Sequence, residues 1–198
     1  MLKKVVLLAV LALALPLAAF ADSTIGVSNK GGTISGNSSG LSLSGSVMIA
    51  YGSAVGSNLG TVTFSTGAFL TGDAAHGGTL APGGSFVITG NGTNGVPSGV
   101  IFSGTFTATP STPITWQLQT LANGTHQYIL TAGLVSSTGQ VAGTSQVTIL
   151  TGNGLFNGSV KLESGDTSLA VPEPGTLSLL GTGLIGLAGV IRRKLSLS

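Results

Sequence analysis

Asp73 and His76 stand three residues apart in the stretch Gly72-Asp73-Ala74-Ala75-His76-Gly77-Gly78. A carboxylate that close to an imidazole can fix its orientation, which both base catalysis and metal binding require. The glycines around the pair describe a polar loop equally well, and a loop is the expectation here. His126, the other histidine, follows Asn123-Gly124 and is expected to sit solvated at a hairpin tip. Glu163 and Asp166 are the only close pair of acids. Calcium asks for several oxygen ligands including clustered carboxylates, so these two are expected to cap the end of a strand.

Gly36-Asn37-Ser38-Ser39-Gly40 spells Gly-x-Ser-x-Gly, the turn that presents a hydrolase serine. Gly and Ser are so common in this chain that such a match arises by chance, and its flanks lack the strand-to-helix elbow. Gly181-Thr182-Gly183-Leu184-Ile185-Gly186 spells the dinucleotide fingerprint, which works only between a strand and a helix start with an acid about 20 residues on. Here it falls in an apolar tail with no acid after it. The chain has no cysteine, which excludes thiolate nucleophiles, disulfides and cysteine-ligated metals. The expectation is a non-enzyme without metal or cofactor. A surface hydrolase would need Asp73 and His76 to converge with a serine in a concave pocket.

The elements that would hold these residues are strands. Between Asp22 and Ala170 no apolar period of 3.6 is sustained, whereas short runs of period two recur. Val47, Ile49 and Tyr51 share one face of their run, as do Val62 with Phe64, Phe86 with Ile88, and Val100, Phe102, Phe106 with Ala108. Residues 146–150 and 158–164 continue the series, and Leu41 and Leu43 mark a first strand or two. Thr and Ser on the outward face suit a half-solvated pleat. Asn123-Gly124 suggests a two-residue type I′ hairpin. That turn would pair Leu118 with Ile129, place Trp116, Leu118 and Ile129 in the core, and leave Tyr128 on the opposite face. Residues 91–99 and 151–159 read as turn-rich loops. The fold expected is all-β, an antiparallel β-sandwich, with a stacked β-solenoid as the alternative. No fixed repeat supports the solenoid. Asn37, Asn91, Asn123 and Asn157 each begin an Asn-x-Ser/Thr triplet, most of them expected to be turns.

Both ends of the chain differ from this middle. Lys3 and Lys4, an apolar run from Val5 to Leu15, and Ala19-Phe20-Ala21 form the pattern of a secretory signal peptide over residues 1–21, cut by signal peptidase between Ala21 and Asp22. At the other end Pro172-Glu173-Pro174 precedes sixteen uncharged residues, 176–191, and then Arg192, Arg193 and Lys194. As a transmembrane helix that run covers about 24 Å, short of the roughly 30 Å hydrocarbon core. Snorkelling cations help a short helix cope, and they stay cytoplasmic with the domain outside. Gly181, Gly183, Gly186 and Gly189 loosen the helix, and its small residues let a second helix approach closely.

This tail, residues 171–195, resembles the PEP-CTERM sorting signal of Gram-negative bacteria. The resemblance implies processing near Pro172-Glu173-Pro174 by an exosortase, a membrane transpeptidase-like enzyme. Transient anchoring in the cytoplasmic membrane would precede transfer to the cell surface or release, typically in bacteria that make exopolysaccharide. An uncut single-span anchor is the alternative.

The overall charge of +2 comes from these ends. Residues 22–175 hold two lysines against five carboxylates, a net of −3, too few cations to build a nucleic-acid face. Rich in hydroxyl and amide side chains and poor in charge, the domain 22–170 is expected to belong to an exported surface or extracellular-matrix protein making weak, multivalent contacts to polysaccharide, which the resemblance implies is exopolysaccharide. A carbohydrate-binding module, the alternative, would need exposed aromatics from among Tyr51, Trp116 and Tyr128.

Overall fold

Alternating apolar and hydroxyl side chains become twelve strands and, among the described residues, no helix. The computed structural model describes residues 23–109, 112–137 and 141–171. The expected leader with its cleavage point at Ala21 and Asp22 lies outside the described residues. So do Pro172, Glu173 and Pro174, the helix over 176–191 with its Gly-x-Gly-x-x-Gly stretch, and Arg192, Arg193 and Lys194.

In chain order the strands are β1 (Ser23–Lys30), β2 (Thr33–Asn37), β3 (Gly40–Tyr51), β4 (Ala54–Ser65), β5 (Phe69–Asp73) and β6 (Gly77–Leu80). They continue with β7 (Gly83–Asn91), β8 (Ser98–Thr107), β9 (Ile114–Thr120), β10 (His126–Ser136), β11 (Val141–Leu150) and β12 (Ser159–Val171). Every pairing with a defined register is antiparallel. A stacked coil would instead lay successive repeats parallel.

The pairings close on themselves. From β12 the ladder runs through β2, β3, β4, β7, β8, β10 and β11 and returns to β12. Such closure leaves no open edge in the ring. β9, β6 and β5 branch from β10 as a flap, and β5 is its outer strand. The loops expected over 91–99 and 151–159 are found over 92–97, between β7 and β8, and over 151–158, between β11 and β12. Of residues 72–78, expected to be a loop, 74–76 form a turn, while Gly72 and Asp73 end β5 and Gly77 and Gly78 begin β6.

The core is apolar and packed with rings. Phe64, Phe86 and Phe106, on three neighbouring strands, meet edge to face at 5.5 and 5.6 Å and stacked at 6.1 Å. Such pairs contribute beyond their buried area. Among the described residues every buried side-chain polar atom has a hydrogen-bond partner. Asn29 and Ser46, both buried, satisfy one another at 2.7 Å.

Three details differ from the expected alternation, each because one residue was inserted. In β3 the pairing with β4 shifts between Leu43 and Ser46. Leu41 and Leu43 point inward before the shift, and Ser46 and Met48 after it, so Val47, Ile49 and Tyr51 are only half-buried. In β8 a shift beside Ile88 leaves Phe106 buried and Val100 exposed. The hairpin of β9 and β10 has a three-residue loop. Gly124 N donates to Leu121 O and Leu121 N to Thr125 O, both at 2.9 Å, with Gly124 at φ +83°. That is a tight turn followed by a left-handed residue, the usual three-residue hairpin. Tyr128 accordingly pairs with Leu118 and Leu130 with Trp116. A one-residue slip turns every side chain over. Trp116 is buried as expected, but Tyr128 joins it, and Ile129 is left half-buried.

Candidate functional site

The tip of the β5–β6 hairpin carries Asp73 and His76. Asp73 closes the turn itself: one carboxylate oxygen accepts the amides of Ala75 and His76, each at 2.8 Å. The imidazole Nδ1 of His76 lies 3.0 Å from both carboxylate oxygens. Both side chains are more than half exposed. The hydrogen bond from the His76 ring, helped by the two backbone amides, holds the Asp73 carboxyl below its ordinary value. The pair the sequence suggested is therefore formed, and it is a turn in open solvent.

What anchors this turn is aromatic. Trp116 Nε1 donates to Ala74 O at 2.9 Å, and the Tyr128 hydroxyl donates to Ala75 O at 2.5 Å. The same hydroxyl accepts the amide of Phe156 at 3.0 Å, which ties in the β11–β12 loop. The Trp116 and Tyr128 rings stack with centroids 5.2 Å apart, and Phe156 packs edge-on against Trp116 at 6.0 Å. Buried Tyr and Trp ordinarily find partners for their polar atoms. Here the partners are the carbonyls of one exposed turn. Sequence reasoning put Tyr128 on the wrong face, so this clamp had no signal visible in the residues alone.

Above the clamp lies an open cavity of about 380 Å³ lined by Asn37, Ser38, Phe69, Asp73, Phe156 and Asn157, among others. Ser38 and Asp73 thus share a cavity. His76 does not line it, and among the described residues no serine hydroxyl is hydrogen-bonded to His76. The three groups of a hydrolase are near one another in the fold without the relay that would join them.

The remaining candidates separate. His126 Nδ1 shares a hydrogen bond with the Thr120 hydroxyl at 3.0 Å across the β9–β10 pair. Asp166 accepts from the Ser28 hydroxyl at 2.7 Å, in mid-strand rather than at a strand end, and Glu163 is exposed on the same strand. No group of three potential metal ligands occurs among the described residues. Asn37, Asn91 and Asn123 each accept the amide two residues on, at 2.8 to 3.0 Å, which makes them the expected turns. Trp116 and Tyr128 are buried and Tyr51 is half-buried, so the exposed aromatic platform of a sugar-stacking module is missing from these three.

The last strand leads to the other functional segment. β12 is ladder-paired to β11 as far as Leu169 and ends at Val171. Pro172 follows at once, with no N–H to continue a ladder. The family model for the PEP-CTERM protein-sorting motif matches residues 170–194. The chain carries a PEP-CTERM sorting motif. The match begins at residue 170, within the final residues of β12. A PEP-CTERM motif implies export, a transient stay in the membrane, and an exosortase as the processing enzyme. No curated protein and no solved structure matches the chain. No helix among the described residues is long and apolar enough to cross a membrane.

Proposed function

We propose that this is a non-catalytic surface or extracellular-matrix protein. In this reading signal peptidase releases it at Ala21, residues 176–191 hold it briefly in the cytoplasmic membrane, and an exosortase cuts near Pro172-Glu173-Pro174. The β domain is then delivered to the cell surface, where it associates with exopolysaccharide in a biofilm. The same reading takes the antiparallel sheet to be folded over as the two layers of a sandwich.

The observation that carries this reading is the sorting motif placed directly after β12. The absence of an exposed stacking aromatic among Tyr51, Trp116 and Tyr128 favours a matrix role over a sugar-stacking module. The solvent-exposed Asp73–His76 turn, unconnected to a serine, favours a structural role over hydrolysis.

Intact mass of the protein from its native bacterium tests the reading. Ends at Asp22 and near Pro174 are expected. A C-terminus at Ser198 in the membrane fraction would overturn it.

A further inference from the structure

The folded unit Thr24–Ala170 has only two lysines, Lys30 and Lys161, and no arginine. Both line the same cleft, of about 560 Å³. The sheet brings them there. Lys30 ends β1, the chain breaks at Gly31-Gly32, and β12 crosses at that break: Lys161 pairs with Thr33 and Leu162 N donates to Gly32 O at 3.2 Å. Both lysines are exposed, and neither forms an ion pair; the ion pair among the described residues is Asp73 with His76.

Two ammonium groups against one carboxylate, Glu163, leave this concavity with a net positive charge that attracts an anion. The rest of the lining narrows the choice of anion. Glu163, two residues on from Lys161 in β12, lines the same cleft. Its carboxylate only accepts hydrogen bonds, so it favours a ligand that also donates. Leu150, 38% exposed, adds an apolar wall. Sulfate and phosphate groups at neutral pH carry charge but few donors. A sugar acid combines a carboxylate, several hydroxyl donors and an apolar ring face. A membrane surface is the less fitting partner, since lipid-binding clusters usually hold about 4–8 cations.

We propose that the cleft between Lys30 and Lys161 binds an acidic polysaccharide through the carboxylates of its sugar units. The site deepens the matrix reading and rests on it only for access to polysaccharide. Recognition here is by charge and hydroxyl, where the buried Trp116 and Tyr128 offer no stacking.

The test uses the full chain in detergent micelles with polygalacturonate as the probe, dextran as the uncharged control and phosphatidylglycerol vesicles as the lipid control. Wild type is compared with the double variant Lys30→Gln/Lys161→Gln and with Lys30→Arg/Lys161→Arg; the cations at both ends of the chain are the same in all three. Polygalacturonate binding that exceeds dextran binding is expected. It should weaken as salt shortens the screening length, fall at least about threefold in the Gln pair, and persist in the Arg pair. Equal binding of polygalacturonate by wild type and the Gln pair overturns the proposal. Equal retention of dextran, or a loss confined to the vesicles, overturns it as well. None of these results bears on where the C-terminus is cut, so the matrix reading stands or falls separately by its own mass measurement.

Discussion

The buried hydroxyl of Tyr128 donates to the carbonyl of Ala75, 53 positions earlier in the chain, at 2.5 Å. The residue at one end of this bond is wholly inside, and the other belongs to the turn that carries Asp73 and His76. Tyr128→Phe keeps the ring stack on Trp116 and removes only the oxygen. It leaves Ala75 O and the Phe156 amide without their partner. Loss of such a bond in a buried place costs about 1–3 kcal/mol, read as a lower urea midpoint at unchanged slope. A midpoint equal to wild type would show that the hydroxyl does not hold these loops.

Gly32 marks the break between β1 and β2. It sits at φ +77°, and a Cβ there would lie 2.4 Å from Ser44 O. Gly32→Ala therefore meets both a left-handed backbone and a backbone clash that no rotamer relieves. We expect a loss of more than about 2 kcal/mol by urea unfolding. Gly154→Ala, where the added methyl meets nothing within 4 Å, is the control and should change stability far less. Equal midpoints for the two variants would contradict the geometry at the break.

The Asp73 carboxyl is held below its ordinary 3.8, first by the His76 ring and then by backbone amides. A folded value below the unfolded one means that the stabilisation is present above the unfolded value and is lost as pH falls through the folded value. The pair is exposed, so solvent screens it and the global effect is small. The readout is therefore local. An NMR titration should place the Asp73 midpoint below 3.8, and His76→Ala should raise it towards 3.8. A wild-type midpoint at or above 3.8 would remove the pair from the turn.

Replacing Pro172, Glu173 and Pro174 together by Ala alters residues beyond the last strand, which ends at Val171. Urea unfolding of the domain should be unchanged. In the native bacterium the variant should keep its C-terminal tail, seen as a mass extending to Ser198. Cutting at the wild-type position would take recognition away from the tripeptide.

How much of this was legible beforehand depended on how local the information is. Val62, Phe64, Phe86 and Ile88 face the core as their alternation says, because side chains alternate along any strand whatever it pairs with. Phase is another matter. Tyr128 changed faces because the loop after Leu121 holds three residues instead of two, and Val47 lost the core to Met48 because one residue was inserted before Ser46. Asn-Gly is compatible with either loop length, and a Gly-Ser run does not announce its bulge.

The strand class of the middle, the Asx turns at Asn37, Asn91 and Asn123, and the sorting motif over 170–194 were determined by the sequence itself, since each is written in adjacent residues. Ring closure, the clamp of Trp116 and Tyr128 on Ala74 and Ala75, and the placing of Lys30 and Lys161 in one cleft were decided by tertiary structure alone. Those contacts join segments distant in the chain. Their existence depends on strand order and register, where a single inserted residue reverses which side chains can meet.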